Sequence, residues 1–139
     1  MSPADRSNTI VLANGVFDIY HVGHAMYLQS ASNMGDLLIV GVTLDAYVNK
    51  GPGRPVNKER DRLDVIKSVR YVDFAFLCKD SLEALESVQP DIFVKGKDYI
   101  DKIEKKHEDY CKAHGIEIRF TDTPIYSATK IINDRLRLG

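Results

Sequence analysis

Five short apolar runs, rich in β-branched residues and separated by stretches with helical spacing, constrain the fold of this chain more than any other feature. TIVLA (9–13), LLIVGV (37–42), VDFAFL (72–77), DIFVKG (91–96) and IEIRFT (116–121) read as strands. Three of them are almost unbroken in apolar residues, which suits strands covered on both faces. HAMYLQSASNMG (24–35), KERDRLDVIKSVR (58–70), SLEALESV (81–88) and DKIEKKHEDYCKAHG (101–115) read as helices between them, and SATKIINDRLRL (127–138) as a last one. Gly35 and Gly115 stand where helix stops are expected, and Ser81 and Asp101 where N-caps belong. A chain that alternates in this way is expected to be α/β, a doubly wound five-stranded parallel sheet with helices on both faces.

No repeat or low-complexity segment divides the 139 residues, so 1–139 reads as a single domain with a polar N-terminal tail, 1–8. That length buries a core without staples. The formal net charge of −1 gives no general attraction to nucleic acid or an anionic membrane, so neither is expected as a partner. No apolar run approaches the length that spans a bilayer, and the opening MSPADRSN has no apolar signal core. Cys78 and Cys111 lie far apart with no CxxC pairing. Reduced thiols and a cytoplasmic location are expected, with a disulfide between the two as the alternative.

In folds of this kind ligands gather at the carboxyl ends of strands, so a site has to map to the segments just beyond them. There is no GxxxxGK[ST], and no GxGxxG after the first strand, which disfavours a P-loop and an ordinary dinucleotide site. The first strand runs instead into GVFDIYHVGH (15–24). Gly15 permits a tight turn, and Gly23 removes a side chain where backbone must approach a bulky anion. A helix beginning near His24 aims its free N–H groups at the same place, with His21 and His24 flanking a phosphate as paired donors. Histidines at this spacing also suit a metal. His107 and His114 lie in a charged helix far along the chain, and no cysteine or carboxylate cluster completes a ligand set, so no protein-bound metal is expected. Plain surface or core histidines are the remaining reading.

GVFDIYHVGH resembles the GxFDxxHxGH signature of the cytidylyltransferase-like nucleotidyltransferases, which share the HxGH box with class I aminoacyl-tRNA synthetases. The likeness continues through LLIVGVTLDAYVNK, RPVNKERDRLDVIKSVRYVD, PDIFVKGKDY and YSATKII, from residue 10 to 132. It implies a Rossmann-like fold and a nucleotidyltransferase domain over 1–139. A synthetase is disfavoured, because the chain is too short for a tRNA-binding domain and has no KMSKS-like loop. The implied reaction is attack by a phosphate oxygen of a small acceptor on the α-phosphorus of a nucleoside triphosphate, releasing pyrophosphate. Positioning and charge neutralisation supply most of the rate in such a transfer. Mg2+ is the implied cofactor, bound through the nucleotide phosphates.

The resemblance assigns His21 and His24 to the phosphates as catalytic donors. Lys50, after the second strand, is expected on the attacking phosphate or the α-phosphate, with an exposed loop lysine as the alternative; Arg54 is a weaker candidate in the same loop. Arg62 shares a helical stripe with Ile66 and Val69, at i, i+4 and i+7, so a permanent cation projects toward the sheet. Burying it without an anion is costly. A triphosphate is one partner and an internal carboxylate, Asp36 or Asp45, the other; the resemblance places the arginine in the catalytic set. Nucleotide contacts are expected from Gly15, Val16, Phe17, Asp18 and Gly23, with Phe17 packing under the loop and Asp18 fixing the turn or orienting a histidine. Lys95, Gly96 and Asp98 are expected beside the base and ribose. Tyr126, Ser127 and Thr129 resemble the I-S-[ST]-T-x-I segment that receives the β- and γ-phosphates at a helix start; Ala128 departs from that pattern.

RPVN and VKGKDY are most similar to the adenylyltransferase domain that activates heptose 1-phosphate, which favours ATP over CTP and a sugar phosphate as acceptor. The kinase part to which that domain is often fused is not in this sequence, so a kinase step is expected on another polypeptide. Glycerol-3-phosphate and choline-phosphate cytidylyltransferases usually carry R-T-E-G-I-S before the last helix. Here TDTPIYS (121–127) lacks the arginine. CTP with an alcohol phosphate remains the second reading, and a nucleotide-binding module without turnover the third. Arg70-Tyr71-Val72-Asp73 resembles a dimer-interface segment, which implies a homodimer.

Overall fold

The computed structural model describes residues 8–124. Its five strands are β1 (Ile10–Gly15), β2 (Leu37–Thr43), β3 (Phe74–Cys78), β4 (Ile92–Lys95) and β5 (Glu117–Phe120). They form one sheet in the order β3-β2-β1-β4-β5, and every pairing is parallel. Each lies within two residues of its apolar run. The described helices are α1 (Val22–Ser32), α2 (Glu59–Lys67), α3 (Ser81–Val88) and α4 (Lys105–His114). The expected last helix, 127–138, lies outside the described residues.

The pleat divides the core in two. Val11 and Ala13 of β1, with Leu38, Val40 and Val42 of β2, pack against Leu28 and Ala31 of α1 and Leu63 and Ile66 of α2. Leu12 and Phe93, one residue out of phase, pack against Ala84 and Leu85 of α3 and Cys111 of α4. Side chains alternate between faces along a strand, so an unbroken apolar run feeds both layers at once. The helices therefore cover both faces, as expected. Both cysteines are free and buried on the α3–α4 side.

Helix ends differ from expectation wherever a longer-range partner intervenes. α3 is capped by Asp80, whose carboxylate accepts from the Glu83 N–H at 2.9 Å, rather than by Ser81, whose hydroxyl donates to Asn14 Oδ1 at 3.0 Å. α4 starts only at Lys105, and Asp101 sits in a left-handed turn at φ 67° instead of capping it. Gly115 does end α4, at φ 67°. Gly35 has another task, since α1 closes on Asn33 in ordinary helical geometry. A Cβ at Gly35 would stand 2.7 Å from both the Thr9 carbonyl oxygen and a Val11 methyl, where the chain enters β2. Gly35→Ala is expected to destabilise the fold by about 1–3 kcal/mol, read as a lower urea midpoint at unchanged m-value. Among the described residues no helix is long and apolar enough to cross a membrane.

Candidate active site

The carboxyl edge of the sheet opens into a cavity of about 560 Å3, the size of a small-molecule site. It lies where the strand order turns back on itself, because β2 and β4 flank β1 on opposite sides. Gly15, Val16, Phe17, His21, Gly23, His24, Lys50, Lys95, Gly96 and Asp98 all line it, as expected residues brought together. Five lysines (Lys50, Lys79, Lys95, Lys97 and Lys106) face three carboxylates (Asp80, Asp98 and Glu104) around its wall, a balance that favours an anion. Tyr126, Ser127 and Thr129 lie outside the described residues.

The loop from β1 into α1 is built to present the two imidazoles. Phe17 and Ile19 take left-handed conformations at φ 53° and 51°, which turn the chain sharply within a few residues. A Cβ at Gly15 would stand 3.2 Å from the Phe17 ring, so glycine leaves that ring room to pack close. Phe17 is 6% exposed and meets the His24 ring edge-on at 5.4 Å. α1 begins at Val22 with His21 as its N-cap, two residues earlier than the sequence suggested. His21 Nδ1 accepts from the Gly23 N–H at 3.1 Å, and His24 Nδ1 accepts from the His21 N–H at 3.2 Å. The helix start thus uses part of its own donor set, in place of offering all of it to a ligand.

That arrangement decides the tautomers. A neutral imidazole whose Nδ1 accepts carries its proton on Nε2, so both rings present Nε2–H donors. They stack with centroids 3.9 Å apart. Burial, the neighbouring His21 and Lys50 push His24 down to about 4, while burial and Lys50 lower His21. Both rings are neutral donors at pH 7, and two cations need not be packed face to face.

A folded-state value near 4 against an unfolded value near 6.5 means that the unfolded chain takes up a proton that the folded chain refuses. The penalty is absent above about pH 6.5 and grows as pH falls toward 4. The urea midpoint is therefore expected to drop between pH 7 and 5, with the His24 ring titrating near 4 by NMR. A His24 midpoint at 6 or above would contradict the geometry.

Asp18 and Arg62 stand outside the cavity lining. Asp18 is 3% exposed and accepts from the Val56 and Asn57 N–H groups at 2.7 and 2.9 Å and from Arg54 Nε at 2.9 Å. Burial pushes its carboxyl up, but these donors outweigh that and hold it below its usual value. It pins the 50–57 loop beside the 15–19 turn, and Arg54 is held with it. Arg62 is 1% exposed. Its Nε donates to the Asn57 carbonyl, its Nη1 to those of Val16 and Thr43, and its Nη2 to Asp45 Oδ1 at 2.5 Å. Of the two partners weighed, the internal carboxylate Asp45 is the one found. The inward stripe of α2 meets strand-end carbonyls that a planar fork of donors can satisfy together.

Lys50 is held below its ordinary value by burial at the cavity wall and by Arg54. Lys95 is lowered by burial, its ammonium 4.5 Å from the Tyr99 ring centroid. A Cβ on Gly96 would meet Asp98 Oδ1 at 2.5 Å, so glycine lets this turn fold tightly under its own carboxylate. Tyr27 is hidden in the apolar pattern of α1. It lines the cavity, its hydroxyl donating to the Val94 carbonyl at 2.9 Å. Asn14, Asp80 and Ser81 also line it, though no motif marks them for a site. His107, remote in sequence, lines the same cavity, whereas His114 stacks on Tyr110 on the exposed side of α4. Only packing of the two chain halves brings these residues together, and no local pattern marks them.

Known proteins resemble the chain in sequence and in fold. A protein called Bifunctional protein HldE in Nitratiruptor sp. is 41% identical over 136 residues, covering 95% of this chain and 28% of that protein. The chain thus spans a minor part of the length of the curated relatives it matches. The crystal structure of the lipopolysaccharide core biosynthesis protein from Thermoplasma volcanium is 31% identical with a TM-score of 0.70, covering 86% of this chain and 99% of that one. Pantoate-beta-alanine ligase from Francisella tularensis shares the fold alone, at 14% identity and a TM-score of 0.65 over 92% of this chain and 66% of that one. The family model described as cytidylyltransferase-like matches residues 12–134, so the chain belongs to the cytidylyltransferase-like family.

Proposed function

We propose that this chain is a nucleotidyltransferase, joining the nucleoside monophosphate part of a nucleoside triphosphate to a phosphorylated small substrate. The observation that carries this reading is the pair of imidazoles fixed as Nε2–H donors at the head of α1, in the wall of a lysine-lined cavity. A phosphate oxygen of the acceptor forms the new bond to the α-phosphorus, and the bond from that phosphorus to the bridging oxygen breaks. Pyrophosphate carries away the electron pair. The acceptor is already an anion at neutral pH, so no general base is required. His21 and His24 donate to oxygens on which charge gathers, and Lys50 offsets the repulsion between the two anionic reactants. Lys95, Gly96 and Asp98 are assigned to the nucleoside, and Tyr126, Ser127 and Thr129 to the β- and γ-phosphates.

The proposed donor is ATP and the proposed acceptor a sugar phosphate of the heptose 1-phosphate type. Support comes from the RPVN and VKGKDY segments and from the role of the Thermoplasma volcanium protein in lipopolysaccharide core biosynthesis. Incubation with each triphosphate, magnesium and a panel of phosphates, with pyrophosphate as readout, tests this; a preference for CTP with glycerol 3-phosphate overturns it. Among the described residues no three His, Cys, Asp or Glu side chains cluster to hold a metal. The proposed cofactor is magnesium carried by the triphosphate oxygens, where it would neutralise the leaving pyrophosphate. The free, buried state of both cysteines is in keeping with a cytoplasmic location.

A homodimer built on the α2–β3 edge belongs to the same proposal. Val65 and Phe74 are 40% and 62% exposed there, and the Arg70 guanidinium lies 4.9 Å from the Tyr71 ring centroid. Sedimentation at micromolar concentration is expected to give twice the chain mass, and Phe74→Glu to give the monomer.

A further inference from the structure

The cavity crosses the carboxyl edge of the sheet, and its two sides differ in chemistry. On the α1–α2 side stand His21, His24 and Lys50, donors and cations throughout. On the α3–α4 side stand Asp80, Ser81, Glu104 and His107. Asn14, at the end of β1, joins them through the Ser81 hydroxyl, which donates to its Oδ1 at 3.0 Å.

His107 is the anomaly in this wall. It is 6% exposed, on the first turn of α4, and its Nε2 is buried with no hydrogen-bond partner among the described residues. A buried polar atom left unpaired is destabilising, and such atoms are uncommon in native folds. The ring belongs to the lining of a cavity large enough for a ligand, so a partner comes within reach when the ring turns its covered Nε2 into that space.

The chemistry of the wall says what kind of partner. Two carboxylates offset by Lys79 and Lys106 leave little net positive charge here, which suits a singly phosphorylated ligand better than a triphosphate tail. The nucleoside is assigned above to the 95–99 turn, which lines the cavity together with Tyr27. Carboxylates, an amide, a hydroxyl and a neutral imidazole, each able to accept or donate, match the hydroxyl groups of a polyol. Lys79 and Lys106, the latter with its ammonium 3.6 Å from Glu104, are the cations at the same end that a phosphate monoester would meet. We propose that the side of the cavity formed by Asp80, Ser81, Glu104 and His107 is the acceptor subsite, that it takes a polyhydroxylated phosphate, and that His107 reads one of its hydroxyl groups. This assignment rests on the transfer reaction proposed above and adds to it the residues that choose the acceptor.

Ring resonances test it directly, because the chain has 4 histidines. His107 is assigned by comparison with His107→Gln, and the wild-type protein is titrated with a heptose 1-phosphate and, separately, with an α,β-methylene ATP analogue. The His107 signal is expected to move with the sugar phosphate and stay put with the analogue, which moves His21 and His24 instead. In turnover, His107→Leu is expected to raise KM for the sugar phosphate about tenfold and leave KM for the triphosphate unchanged, with His107→Gln closer to wild type. A His107 signal that tracks the analogue, or neither ligand, overturns the subsite. So does a His107→Leu protein that melts higher with both KM values intact, which would make the ring a packing residue. If the sugar phosphate moves His107 while no triphosphate yields pyrophosphate, the subsite stands and the transfer reading falls.

Discussion

Replacing His24 with alanine is expected to lower turnover about a hundred- to a thousandfold, the usual cost of one preorganised donor on developing charge. Alanine also removes the acceptor that caps the His21 N–H, so part of its effect would come through the helix start. His24→Asn separates the two. Its carbonyl oxygen can cap, keeping the melting temperature close to wild type, but the short amide cannot reproduce a donor at the Nε2 position. Both variants should therefore lose turnover alike while differing in stability. An asparagine variant within threefold of wild-type turnover would remove His24 from the chemistry.

Arg62→Met is expected to cost about 3–5 kcal/mol of stability, the range for breaking a buried ion pair. The lower end is the better figure, because the Asp45 side chain is 36% exposed and can take up water once abandoned. The carbonyls of Val16, Thr43 and Asn57 lose their donor as well, and that of Thr43 sits deep at the end of β2. A fall in melting temperature of about 10 °C or more is the readout. Arg62→Lys should rescue it only in part, since an ammonium cannot copy a planar fork. A contact to triphosphate predicts the opposite pattern, with stability nearly unchanged and KM for the nucleotide raised. Thermal melts beside steady-state kinetics on the same variant decide between them.

Arg62 also marks the limit of sequence reading. Its place on the inward stripe with Ile66 and Val69 comes from helical period alone, and so does its need for an anion. Which anion it meets does not, because Asp45 lies seventeen positions away on a different element. Asp18 repeats the lesson. Its position in a turn after β1 is legible, while the loop it holds, 54–57, comes from beyond β2. The start of α1 departs from expectation for a local reason. Histidine is an unusual N-cap, and His21 takes that role through its ring nitrogen.

By itself the sequence determined the five strands, their parallel sense and the place of the HVGH loop at a strand end. Each of these depends on hydrophobic period and on residues within a few positions of one another. Tertiary structure alone decided that Arg62 turns to Asp45, that Asp18 ties two loops, and that His107 lines the same cavity as His24. These depend on which buried polar groups meet after packing. Burial makes each pairing strong, but nothing in local spacing records the partner.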